Sequence, residues 1–513
     1  MAEQTVTRDE YLRKILLAPI YDLVKVTSLD RMEKLSDRLG NEILLKREDE
    51  QIVHSFKLRG AYNKIAQLTP EQKAKGVVAA SAGNHAQGVA LSGRKLAVRT
   101  NIVMPKSTPD IKVDAVRRFG GNAILFGSNF DEAYAEARRM AEEEHLTMIP
   151  PYDDPDVIAG QGTIASELLQ QNAHITHVFV QVGGGGLAAG IAVYLKQIMP
   201  RIRVIAVEPE GSACLKAAWD RNEIVTLDRV SLFADGVAVK RIGTETFRVL
   251  RETVDEVITV SNDEICAAMK DIFDDVRAVA EPAGAVSLAG IKKYLSVNRC
   301  RDQRMVAILS GANLNFHTLR FVSERCELGE QREGILSITI PERRGAFLDL
   351  YRDLGNRYVT EFNYRYSHSQ QASIFMSLQL NGGRSELDVI IGDLQQKGYK
   401  VSNITDNLLA KNHVRYMVGG HAPSAELREK LFSLEFPERP GALLKFLETL
   451  GPEYNITLFH YRKHGAEYGR VLCGIEADDS KTAQLVERLN RLGYIWFDET
   501  DNECYRMFLQ PQA

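Results

Sequence analysis

Seven short apolar runs along residues 76–310 constrain the fold of this chain more than any other feature. They are GVVAAS (76–81), NIVMP (101–105), NAILFG (122–127), HVFVQV (177–182), RVIAVEP (203–209), EVITVS (256–261) and MVAILS (305–310). Runs of this length with little polar alternation predict strands buried on both faces. Stretches of helical spacing lie between them, including IKVDAVRRF (111–119) and FDEAYAEARRMAEEE (130–144). Continuous apolar strands separated by helices make a parallel sheet covered by helices. Ligands of such sheets bind at the C-terminal ends of the strands.

After about residue 330 the pattern changes to longer, alternating strands, and the segment repeats itself. LSITIPERRGAFL (336–348) matches FSLEFPERPGALL (432–444), VTEFNYRY (359–366) matches ITLFHYRK (456–463), and KGYKV (397–401) matches LGYIW (492–496), at offsets of 96, 97 and 95 residues. A nearly constant offset means two copies of one small unit of roughly 80–95 residues. Each copy reads strand, Pro/Gly turn, helix, strand, strand, helix, strand, the order of a ferredoxin-like α+β sandwich. The expected division is 1–330, 331–425 and 426–513, in keeping with a chain of 513 residues, too long for one core.

The net charge of −4 leaves no basic footprint for nucleic acid. Val178 to Leu195 is the most membrane-like stretch, but its four consecutive glycines make it strand, loop and helix and not a span. Glu3, Asp9 and Glu10 near the N-terminus argue against a signal or transit peptide. Six scattered cysteines without a CxxC pair predict free thiols in a reducing, cytoplasmic setting.

Four motifs carry chemistry. In HSFKLRGA (54–61), Lys57 stands between Phe56 and Leu58 beside a helical run. A lysine in apolar surroundings has its pKa lowered, which frees the amine to form a Schiff base; alone, such a lysine is more often a surface residue. SAGNHAQG (81–88) follows a strand and opens a helix, where N–H groups receive a carboxylate or other anion. Asn84 can donate to a phenolate-type oxygen, and His85 reads as structural. VGGGGLAAG (182–190) is a second strand-to-helix junction whose glycines let the backbone wrap a phosphate. It matches neither the dinucleotide fingerprint nor the P-loop. In LSGAN (309–313), Ser310 places a neutral hydroxyl at a strand end.

In this order the four motifs, with the C-terminal duplication, resemble the fold-type II pyridoxal-phosphate (PLP) enzymes, and among them the biosynthetic threonine dehydratases, over essentially the whole chain. The resemblance implies an α/β catalytic domain of two parallel-sheet lobes followed by two ferredoxin-like, ACT-like regulatory subdomains. It implies that Lys57 holds PLP covalently, that Asn84 bonds the ring oxygen, and that Gly183, Gly184, Gly185, Gly186 and Leu187 cradle the phosphate. Ser310 faces the pyridine nitrogen, Phe56 packs on the cofactor, and the loop Ser81, Ala82, Gly83, Asn84, His85 receives the substrate carboxylate. A serine at the pyridine nitrogen makes the ring a weaker electron sink than an aspartate would, which suits elimination. Lys57 would also take the α-proton.

The same resemblance implies L-threonine as substrate, with L-serine as a second, and 2-oxobutanoate and ammonia as products. Isoleucine inhibits, valine opposes it, and the chain forms a homotetramer. The turns PERRGA (341–346) and PERPGA (437–442) belong to the effector sites, where Gly345 and Gly441 let a ligand approach the backbone. Related serine racemases carry a serine at the place of Ala82, so racemisation is disfavoured. Some relatives hold a divalent cation with two carboxylates after a strand like VIAVEP. Here Glu208 matches one and Cys214 stands where the second falls, so no divalent metal is expected, and a monovalent cation stays open. Three alternatives remain: a catabolic serine/threonine dehydratase without isoleucine control, a non-catalytic amino-acid sensor on a PLP fold, and, more remotely, a nicotinamide enzyme.

Overall fold

Strands buried along their whole length need cover on both faces, and the N-terminal unit provides it around two sheets. A computed structural model describes residues 5–355, 357–366, 370–417, 428–437, 441–462 and 468–509; Glu3 and three residues of the second PERPGA turn, Glu438, Arg439 and Pro440, lie outside them, as does Lys463. The chain divides into two compact units, up to Gly329 and from Glu330 onward.

The smaller sheet of the first unit is parallel throughout, in the order Asn122–Leu125, Thr100–Met104, Val77–Ala80, Thr147–Met148. The larger has six strands in the order Leu29–Arg31, Glu42–Arg47, Arg304–Leu309, His177–Gln181, Arg203–Pro209, Glu256–Val260. All of its pairings are parallel except that of the first two strands. The seven apolar runs all appear as strands. Leu29–Arg31, Glu42–Arg47 and Thr147–Met148 were not expected from the sequence. Arg304–Leu309 pairs directly with Glu42–Arg47, from Arg304 opposite Glu42 to Leu309 opposite Arg47. That pairing brings the Ser310 strand end beside the segment that leads to Lys57.

The helix Lys57–Ala66 lies against the helix Pro155–Gln171, whose N-terminus is capped by the Asp154 carboxylate with proline in the first turn. Their approach is close enough to demand glycine on both sides. A Cβ at Gly60 would stand 2.4 Å from Gln161 Nε2, and one at Gly160 2.6 Å from the Arg59 carbonyl oxygen. Beneath this crossing lies a buried charge cluster. Arg59 Nε donates to Glu48 (2.7 Å) and its Nη1 to Glu167 (2.6 Å), while Lys46 Nζ reaches Glu167 at 2.7 Å. Two cations face two carboxylates, so the desolvation cost is offset by mutual attraction and by further bonds to Thr163 and the Thr27 carbonyl.

In the C-terminal unit the two repeats fold as expected, each with the strand order of a ferredoxin-like sandwich. They do not form separate sheets, however. One antiparallel sheet of eight strands runs Lys400–Asn403, Glu333–Pro341, Gln371–Gln379, Val359–Arg365, Asn455–Arg462, Tyr468–Glu476, Glu429–Pro437, Ile495–Asp498. The repeats join where Val359–Arg365 pairs with Asn455–Arg462. Alternate residues Leu336, Ile338 and Ile340 of one copy and Phe432, Leu434 and Phe436 of the other share a single core with the helices.

Among the described residues no helix is long and apolar enough to cross a membrane. All six cysteines are free. Glu167→Ala would leave Arg59 and Lys46 without half of their countercharge, and should cost about 3–5 kcal/mol of stability. Denaturant unfolding measures this, and a loss below about 1 kcal/mol would show that the cluster is not the support described.

Candidate active site

The lysine is positioned by backbone pairing between segments far apart in sequence. Phe56 N–H donates to the Ser310 carbonyl (3.1 Å), Ala312 N–H to the His54 carbonyl (3.0 Å), and Ser55 and Gly311 form an antiparallel bridge. Lys57 is the first residue of its helix, and its Nζ donates to the Pro151 carbonyl (2.8 Å) while standing 5.2 Å from the centre of the Phe56 ring. The residue is half-buried, and its amine bonds a backbone carbonyl rather than a charged group. Burial pulls its pKa down to about 8, and the more distant charge of Glu281 opposes the shift. The positive end of the helix dipole acts in the same direction as burial. A substantial fraction of the amine is therefore neutral near pH 7 to 8 and able to act as a nucleophile or base.

The strand Val77–Ala80 delivers the second motif to the head of the helix Asn84–Leu96. Ser81, Ala82, Gly83 and Asn84 are all partly exposed there. Asn84 is held at both ends of its amide. Its Nδ2 donates to Glu281 Oε1 (2.8 Å), and its Oδ1 accepts from Asn313 Nδ2 (2.7 Å). His85 turns away from the loop and is buried, with Nε2 2.8 Å from the Ile149 carbonyl. Burial, and then the charge of Lys57, lower its pKa to about 3 against the Ile149 bond. The ring is neutral at physiological pH and structural, as the sequence suggested; its backbone remains part of the loop.

The four-glycine junction runs from the strand His177–Gln181 into the helix Gly186–Ile198. Gly185 caps that helix at φ 96°, in the left-handed region. A Cβ at Gly184 would enter the Tyr152 ring at 2.2 Å, and one at Gly183 would come 2.8 Å from Val237 Cα. Thr246 Oγ1 fixes the Gly184 carbonyl (2.7 Å). The leading N–H groups of the helix have no intrahelical partner, so the junction offers a cradle of donors to an anion. Leu187 follows, 4 % exposed, and Ser310 is 3 % exposed at the end of its strand.

An amine with a lowered pKa at a helix start, a glycine-lined donor cradle and a neutral buried hydroxyl at a strand end fit the attachment, phosphate and ring-nitrogen needs of PLP. The Glu208 carboxylate accepts from the N–H groups of Leu215 (2.8 Å) and Lys216 (2.7 Å). Burial raises its pKa to about 8 against those bonds. Among the described residues no cluster of three or more His, Cys, Asp or Glu side chains could hold a metal ion.

Sequence reasoning missed Glu281, the Pro151 carbonyl and Tyr152. Glu281 is 4 % exposed and stands before Pro282 at the start of the helix Pro282–Asn298. The Glu-Pro pair reads as an ordinary helix start, but the carboxylate points instead to Asn84. Burial and the nearby Asp235 raise its pKa to about 7, with the Asn84 bond opposing them. Asn313 lay within a quoted motif without being singled out.

The C-terminal unit has a recess of its own at the PERRGA turn. Glu342, Gly345, Phe347, Tyr364, Leu450 and Tyr454 are among its lining residues. Gly345 heads the helix Ala346–Leu354 at φ 80°, and Gly441 heads Ala442–Leu450 at φ 86°. The Tyr364 hydroxyl donates to Glu342 Oε1, while the buried Oε2 of the same carboxylate has no hydrogen-bond partner among the described residues. Burial raises the Glu342 pKa.

Residues 20–311 match the family model described as pyridoxal-phosphate dependent enzyme, and residues 324–414 and 420–509 each match the C-terminal regulatory domain of threonine dehydratase. The biosynthetic L-threonine dehydratase of Escherichia coli (strain K12) is 60% identical over 98% of this chain and 97% of its own length. The mitochondrial threonine dehydratase of Saccharomyces cerevisiae is 47% identical over 99% of this chain and 90% of its own length. Among solved structures, the processed form of threonine deaminase isoform 2 from Solanum lycopersicum aligns at a TM-score of 0.61 and 48% identity, covering 62% of this chain and 92% of that one.

His85 makes a testable contribution to acid stability. Its folded pKa of about 3 lies below the ordinary value of 6.5, so its contribution is intact above pH 6.5 and erodes as pH falls toward 3, where only the unfolded chain takes the proton. His85→Gln keeps a donor for the Ile149 carbonyl and cannot be protonated. Between about pH 6.5 and 5 its melting temperature should fall less steeply than that of the parent; parallel declines would contradict the assignment.

Proposed function

The chain belongs to the PLP-dependent threonine dehydratases of the biosynthetic type, and from that premise we propose how its own residues convert L-threonine to 2-oxobutanoate and ammonia under control of its C-terminal unit. The observation that carries the reading is Lys57, a half-buried amine with its pKa drawn down to about 8 and, among the described residues, a carbonyl as its one hydrogen-bond partner.

PLP, when bound, supplies an aldehyde for covalent attachment and a ring that takes up the electron pair released with the α-proton. Lys57 provides the attaching amine. Gly183, Gly184, Gly185, Gly186 and Leu187 hold the phosphate through N–H groups. Asn84 donates to the ring oxygen, Phe56 flanks the cofactor, and Ser310 meets the pyridine nitrogen without a charge. The N–H groups of Ser81 to His85, with the Ser81 hydroxyl, receive the substrate carboxylate. Lys57, displaced by the substrate amine, removes the α-proton. Ala82 offers no second acid or base. The β-hydroxyl would leave as water, and Lys57, by retaking the cofactor, would free an enamine whose imine tautomer takes up water and yields 2-oxobutanoate and ammonia. L-serine fits the same chemistry, since one methyl separates the substrates by only about 1–3 kcal/mol.

Residues 331–425 and 426–513 act as two ACT-like regulatory subdomains, with isoleucine as inhibitor and valine as its antagonist. Supporting this is the recess at Gly345, where the unpartnered Glu342 oxygen suits an amino acid's ammonium group and apolar residues suit its side chain. Gly441 marks the counterpart in the second copy. Inhibition and substrate binding must be reciprocal. The assembly is a homotetramer, and free cysteines suit the cytoplasm.

Lys57→Ala should abolish 2-oxo-acid production from L-threonine, and the parent's activity should fall with isoleucine. Activity of the parent that ignores isoleucine would identify the catabolic alternative. Glu342→Gln should raise the isoleucine concentration for half-inhibition about tenfold, the loss of one charged contact; unchanged sensitivity would remove Glu342 from the effector site.

A further inference from the structure

A primary amide in a cleft can ordinarily turn over, exchanging its oxygen and nitrogen. Asn84 stands in a chain of hydrogen bonds whose direction is set from both ends. At one end Asn313 Nδ2 donates to the Val53 carbonyl (2.8 Å), a group that can only accept. The same nitrogen donates to Asn84 Oδ1 (2.7 Å). At the other end Asn84 Nδ2 donates to Glu281 Oε1 (2.8 Å), a carboxylate whose pKa stands at about 7 and which, above that pH, can also only accept. Turning the Asn84 amide over would set its nitrogen against the Asn313 donor at any pH, and its oxygen against the Glu281 carboxylate wherever that group is ionised.

Glu281 is itself locked in place. Its N–H donates to the Gly311 carbonyl (3.2 Å), within the segment that pairs with Ser55 beside Lys57. A Cβ at Gly311 would stand 2.6 Å from Glu281 Oε1, so the carboxylate fills the space that this glycine leaves. The carboxylate is therefore placed by the same backbone pairing that seats the lysine. The amide it orients has a second N–H on Nδ2, beyond the one given to Glu281.

We propose that Glu281 is a positioning residue for the cofactor: with Asn313 it fixes the polarity of the Asn84 amide, so that Asn84 presents a donor and never an acceptor to the cofactor's ring oxygen. The proposal rests on the assignment of Asn84 to that oxygen. A fixed donor stabilises negative charge on the oxygen. An amide free to turn would spend part of its time with a carbonyl against it. Glu281→Gln keeps the size of the side chain and replaces an acceptor-only group with one that can also donate, which removes the constraint while sparing the packing.

The test is the visible absorption spectrum of the cofactor-loaded enzyme at fixed pH, with steady-state kinetics, for Asn84→Ala, Glu281→Gln, Glu281→Asp and Asn313→Ala. Asn84→Ala should displace the cofactor band. Glu281→Gln and Asn313→Ala should displace it in the same direction and lower kcat about tenfold with a smaller change in KM. Glu281→Asp, which restores an acceptor-only group, should move the band back toward the parent's. A merely structural glutamate would lower the melting temperature and leave the band alone. Should Glu281→Gln fail to fold, Asn313→Ala carries the same test with every carboxylate in place. A shifted band in Asn84→Ala beside a parental band and kcat in both Glu281→Gln and Asn313→Ala would overturn the proposal. A parental band in Asn84→Ala would overturn the assignment of Asn84 itself, and the proposal with it.

Discussion

An amine that must be neutral enough to react has to be kept from water without being given a carboxylate to pair with. Lys57 meets both conditions with a backbone carbonyl and an aromatic ring beside its amine. Among the described residues the Pro151 carbonyl accepts its one hydrogen bond, and Glu281, the carboxylate whose charge it feels, is bonded to Asn84. The seat depends on the pairing of residues 54–56 with 310–312, and that pairing depends on the register of Arg304–Leu309 against Glu42–Arg47. A slip of one residue would turn the faces of the strand over and move the lysine away from Ser310 together.

The buried charges near this seat do two kinds of work. Lys46, Glu48, Arg59 and Glu167 neutralise one another below the helix crossing and hold the helix that begins with Lys57. Glu281 and Glu208 are single carboxylates that burial pushes toward protonation. Each is satisfied by donors from a distant or local chain segment: the Asn84 amide for the first, a helix N-terminus for the second. A group that could have marked a cation site is thus already a helix cap.

Much of this was legible in the sequence. The strands were, because Val77–Ala80 is apolar throughout, Thr100–Met104 and His177–Gln181 each hold three apolar residues in a row, and every one of their residues is buried. Lys57, Asn84, the glycine junction and Ser310 stood out through the order of their motifs along the chain and the family resemblance that order carries, and not through any one motif alone. Glu42–Arg47 was hidden because it begins with Glu and ends with Lys-Arg, residue types that are seldom interior; Lys46 is interior here only because Glu167 meets it. Pro151 acts through a carbonyl that every residue has. Glu281 acts across 197 residues on Asn84, a pairing that no local pattern encodes. The repeats were visible from their offset, but their fusion into one eight-stranded sheet depends on the edge strands Val359–Arg365 and Asn455–Arg462 finding each other.

Covalent attachment at Lys57 is the claim from which the rest follows. Borohydride reduction of the cofactor-loaded enzyme, followed by digestion and peptide mass analysis, tests it without relying on turnover. The account predicts the cofactor's mass on the peptide containing Lys57. The same mass on another lysine, with Lys57 unmodified, would contradict it.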